Sequence, residues 1–75
     1  MSMKADRMNE IRRQALIEAI RDSGLSIVEF SHRFLARDHT TVYRWLSGYS
    51  PVPRVVGRWL NEHAEEIIGG YDERD

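Results

Sequence analysis

The sequence predicts an all-α fold of four to five helices, on three observations. Apolar residues recur at spacings of three and four along most of the chain. Capping residues and glycines divide that pattern into segments of helical length. No stretch alternates apolar and polar residues for long enough to read as a strand, and no repeat or low-complexity segment interrupts the pattern. Seventy-five residues suffice for a single domain, read as residues 1–75. A chain this short buries a modest share of its surface, so a second subunit would add stability.

The first helix is expected from about Asp6 to Ser23. Met8, Ile11, Ala15, Leu16, Ala19 and Ile20 form its apolar stripe, and Arg12, Arg13, Glu18 and Asp22 its polar side. Gly24 follows, where a helix commonly ends in a left-handed residue. Ser26 and Glu29 then show the S-x-x-E spacing in which each side chain caps the other's backbone N–H. A second helix therefore begins there and runs from Ile27 to about Leu35. Leu25 and Phe30 hold the positions of a hydrophobic staple, and Phe30, Phe34 and Leu35 continue the buried side.

Asp38 is the expected N-cap of a third helix, with Val42, Trp45 and Leu46 inward and Gly48 at its end. The other face carries Thr40, Tyr43, Arg44 and Ser47, with His39 at an exposed first turn. It holds no large aliphatic residue and is expected to face outward. Ser50 reads as the cap of a fourth helix starting at Pro51, where a missing N–H costs nothing, with Pro53 still in its first turn. Val52, Val55, Val56, Trp59, Leu60, His63 and Ile67 form its stripe, until Gly69-Gly70 breaks it. Two arrangements stay open: one long helix, or a break near His63 that makes a short fifth.

Charge is segregated along the chain although the net charge is only -1. Residues 28–59 carry Arg33, Arg37, Arg44, Arg54 and Arg58 against Glu29 and Asp38. Residues 60–75 carry Glu62, Glu65, Glu66, Asp72, Glu73 and Asp75 against Arg74 alone. Local charge sets the potential that a polyanion meets, so the middle can form a basic face while the tail stays acidic. The absence of cysteine excludes disulfides and thiolate zinc sites. The start of the chain lacks a secretory signal pattern, and a soluble, cytoplasmic protein is expected. His32, His39 and His63 sit on three separate elements, so no metal site is expected. No nucleophile–base grouping, phosphate loop or carboxylate pair stands out, so an enzyme, a cofactor and a small-molecule ligand are not expected either.

The stretch from Ser26 to Trp59 resembles the Cro/repressor-like (XRE-type) helix-turn-helix family. The resemblance rests on the capped helix at Ser26, the run from Asp38 to Gly48 containing T-V-x-R-W-L-S-G, and the Pro51-Val52-Pro53 approach to the next helix. It implies a helix-turn-helix core over about residues 26–48, whose second helix crosses the DNA backbone while the third enters the major groove. His39, Thr40 and Arg44 would then meet base edges, with Tyr43 and Ser47 beside them at flanking bases or backbone. Arg33, Arg37, Arg54 and Arg58 would hold phosphates. The turn departs from the family, which places a glycine after leucine and a small residue four before that glycine. Here the stretch is Leu35-Ala36-Arg37, and either His32 or, with one extra residue in the turn, Ser31 takes the small-residue place. The second register is favoured, since it buries Phe30 and Phe34 and leaves His32 and Arg33 outward.

The expected function is a sequence-specific transcriptional regulator, a repressor or autoregulator that binds an inverted-repeat operator as a homodimer. Trp59, Leu60, Ile67, Ile68 and Tyr71 are the expected dimer surface. The resemblance suggests phage, prophage or plasmid regulators, including those that accompany anti-CRISPR genes. Two alternatives stay open: an antitoxin whose acidic tail engages a basic toxin, and a protein-interaction module that has kept the fold without DNA.

Overall fold

Where the stripe breaks, the chain turns, and five α-helices result among the described residues. The computed structural model describes residues 3–68, with side chains from Arg7 onward. α1 is Met3–Ser23, α2 Ile27–Phe30, α3 His39–Ser47, α4 Arg54–Glu62 and α5 Ala64–Ile68, and a π-helical turn, Ser31–Leu35, continues α2 without a gap. No strand occurs among the described residues, which are all-helical, in the five-helix form. No described helix is long and apolar enough to cross a membrane.

Every helix contributes to one core: Leu16 and Ala19 from α1, Phe30 from α2, Val42 and Trp45 from α3, Val56 and Leu60 from α4, and Ile67 from α5. Val52 joins them from the loop before α4. Full burial of side chains this size stabilises by roughly 1.5–3 kcal/mol each, so these positions hold the bundle together. The stripes overreach at two places. Met8 and Ile11 are 41% and 55% exposed, because the α4 residues across the groove are Arg54, Gly57 and Arg58, which offer no apolar partner. Val55 is likewise outside, at 59%.

The helix ends follow local chemistry. Gly24 takes φ +74° after α1 and donates its N–H to the Arg21 carbonyl. Ser26 is extended, and its Oγ accepts the Glu29 N–H at 3.1 Å, the serine half of the expected box. Gly48 ends α3 at φ +86°, its N–H on the Trp45 carbonyl.

The segment between α2 and α3 resolves the two registers. Ser31 is wholly buried while His32 and Arg33 are exposed, so the register with one extra residue is the one adopted. The extra residue does not lengthen the loop. It is absorbed within the helix, where the backbone bonds over Ser31–Leu35 reach five residues back instead of four. Ala36 then reverses the chain in the left-handed region (φ 53°, ψ 40°), and the Ser31 carbonyl accepts from both Ala36 and Arg37. The buried Ser31 hydroxyl donates to the Ile27 carbonyl at 2.7 Å, so its burial leaves no orphaned donor.

The start of α4 corrects the expectation. Ser50 caps nothing there: residues 51–53 are not helical, and Pro53 (ψ 145°) precedes the first helical residue, Arg54. A proline pushes the residue before it out of the helical region, and Ser50 and Val52 both precede one. Val52 is held by its N–H on Asn9 Oδ1 at 2.8 Å, which pins the loop to α1. At the other end, His63 (φ -114°, ψ 25°) separates α4 from α5, its Nδ1 donating to the Trp59 carbonyl at 2.9 Å.

Candidate nucleic-acid interface

α3 divides into two faces. Val42 (0% exposed) and Trp45 (5%) are sealed in the core with Leu46 half-buried, while Thr40, Tyr43, Arg44 and Ser47 are all exposed. The polar residues therefore form an outward ridge, one side of which, with Tyr49, lines a shallow open depression of about 360 Å³. Tyr49 is 79% exposed, and the Arg44 guanidinium lies 5.8 Å from its ring centre, within cation–π range. The turn is braced locally, with the Ser47 hydroxyl on the Arg44 carbonyl and the Ser50 N–H on that same carbonyl.

Two α1 side chains set the pose of this ridge. Arg13 Nε donates to the Leu46 carbonyl at 2.7 Å, a charged donor on a carbonyl in the last turn of α3, while its Nη1 pairs with Glu10 at 3.0 Å. Asn9, one turn earlier on α1, holds Val52. Neither role was legible in the sequence, where Arg13 read as polar surface and Asn9 carried no signal, because the partners lie 33 and 43 residues away. Tyr49 was also missed as a site residue, although a large aromatic directly after a helix-ending glycine, off every apolar stripe, was a usable signal.

His39 departs from its expected exposed position. Its ring is half-buried at the foot of α3, with the His32 ring centre 5.9 Å away and that of Tyr43 6.2 Å away, both edge-on. Its Nδ1 is fully enclosed without a hydrogen bond and lies 3.8 Å from Asp38 Oδ1. Asp38 keeps the N-cap position, but its carboxylate makes no capping bond. The histidines thus do not all stand apart, because the π-helical turn brings His32 to His39.

Arg33, Arg37, Arg54 and Arg58 are all exposed. They do not line the ridge depression: Arg37 borders a cleft with Phe34, Val55 and Trp59, and Arg54 and Arg58 border the α1–α4 groove with Met8 and Ile11. Of the expected dimer residues, Leu60 (4% exposed) and Ile67 (2%) belong to the chain's own core, which takes them away from a partner. Leu60 lies on the buried side of α4 with Val56, and Ile67 is brought in by the break at His63, which folds α5 back on α1. Trp59 is half-buried, stacked 4.4 Å from His63 and tilted 6.0 Å from Phe34, and Ile68 is 65% exposed. Tyr71 lies outside the described residues.

No family model, curated protein or solved structure matches this chain.

Proposed function

We propose that the chain is a sequence-specific DNA-binding regulator of the helix-turn-helix type, a repressor that occupies an inverted-repeat operator as a homodimer. The observation that carries this reading is the outward polar ridge Thr40–Tyr43–Arg44–Ser47 on a helix whose opposite face is sealed by Val42 and Trp45. A rigid helix with such a face matches the width of the major groove. There Arg44 can donate two bonds to guanine O6 and N7, and the Thr40 methyl can meet thymine. Arg33, Arg37, Arg54 and Arg58 supply phosphate contacts that set affinity and not sequence. For the dimer, Trp59 and Ile68 are what remains of the expected surface among the described residues.

A second reading, a protein-interaction module, draws on the net charge of -1 and on Tyr43 and Tyr49, 48% and 79% exposed beside Arg44, a composition common at protein interfaces. Gel-shift titration against the DNA upstream of the chain's own gene, at several salt concentrations, separates the two. A regulator shows a discrete shifted species that weakens as salt rises. Arg44→Ala should weaken the specific complex by about 1–3 kcal/mol with the circular dichroism spectrum unchanged. Absence of any shift, or a variant that keeps full operator selectivity, rejects the recognition face.

A further inference from the structure

We propose that His32, Asp38 and His39 form a binding site for a divalent transition-metal ion, with Zn²⁺ as its natural probe. One ligand atom from each of the three residues lies within 4.8 Å of the other two. Tetrahedral zinc with bonds near 2.0–2.1 Å to nitrogen and oxygen holds its ligand atoms about 3.4 Å apart. Closing the set therefore needs movements of about an ångström. His32 and Asp38 are exposed and free to make them.

A second observation points to the same place. His39 Nδ1 is enclosed by the protein yet makes no hydrogen bond, so in the tautomer with the proton on Nε2 its lone pair is unused, which is costly unless something else takes it up. A cation held between it, Asp38 and His32 would do so. The donor set suits the ion: two neutral imidazoles and one carboxylate favour zinc and its neighbours over calcium or magnesium. A cation near the start of α3 is opposed by the positive end of the helix dipole, and the Asp38 carboxylate at the N-cap offsets that. Three protein ligands at an open surface leave at least one position for water.

The site links three pieces of chain: the π-helical turn, the residue before α3, and the first residue of α3. Its occupation would tie the turn to α3 and fix the angle between them. This inference stands whether or not the ridge binds DNA, since its test reads metal and not nucleic acid.

Isothermal titration of Zn²⁺ into the untagged full chain should show one saturable equivalent, and the melting temperature should rise with added Zn²⁺. His32→Ala, at an exposed position, should keep the fold yet lower the affinity on the order of tenfold or more and abolish the melting-temperature rise. His39→Ala should do the same, and His63→Ala should change neither. In proton–carbon spectra the ring signals of His32 and His39 should shift with Zn²⁺ while those of His63 stay in place. Absence of a saturable equivalent, a His32→Ala variant that binds as tightly as the parent chain, or a loss in His63→Ala equal to that in His32→Ala would each overturn the site.

Discussion

α3 and the stretch Ile27–Leu35 before it are both nine residues of unbroken helix, yet only one of them keeps a single period. In α3 the inward and outward positions after His39 follow from spacings of three and four, and Val42 and Trp45 fall inside while Thr40, Tyr43, Arg44 and Ser47 fall outside. In the earlier stretch the bonding pattern widens after Phe30, so positions beyond it rotate relative to a regular helix. Ser31 takes the buried place, and His32 swings toward α3. The lesson is that a capped, regular helix can be read one residue at a time, whereas an inserted residue in a helix moves every side chain after it.

The sharpest way to break the comparison is to load the two faces of α3 separately. Trp45→Ala should cost about 3–5 kcal/mol in urea denaturation, as large core truncations do. Tyr43→Ala, on the outer face, should stay within about 0.5 kcal/mol. Similar losses from both would mean that the two faces are not distinct.

The π-helical turn offers the next largest contrast. Ser31→Leu forces extra volume into a filled site and should destabilise by about 1–3 kcal/mol, while metal-free His32→Ala should be close to neutral. The reverse order, by thermal or chemical unfolding, would restore the register with His32 inside.

The smallest effect concerns the left-handed residue that closes the turn. Ala36 holds a conformation that glycine adopts without steric cost, with no glycine there to relieve it. Ala36→Gly should therefore raise stability by about 0.5–1 kcal/mol, the relief of the left-handed strain exceeding the added freedom of the unfolded chain. A fall in stability would show that Ala36 is held there without strain.

Legibility in the sequence tracked how local each decision was. Ser26, Gly24 and Gly48 act within a few residues of themselves, and each does in the structure what its type predicts. Ser50 failed as a helix cap for an equally local reason, Pro53, which holds Val52 out of the helical region so that no helix begins at Pro51. The site was half legible. The ridge of α3 could be read from its own period, but Arg13 and Asn9, which hold it in place, could not. Their partners are backbone groups far along the chain, and a polar residue on a helix carries no mark of the carbonyl or N–H it will meet.

By itself the sequence determined the all-helical class, the helix ends at Gly24, Ser26 and Gly48, and the outward set on α3, because each rests on periodicity and on bonds between near neighbours. Only the tertiary structure decided that Leu60 and Ile67 serve the chain's own core, that Ile11 and Val55 stay outside, and that His32 meets His39. Those outcomes depend on which helix lies across from which, and that is settled by the packing of the whole chain.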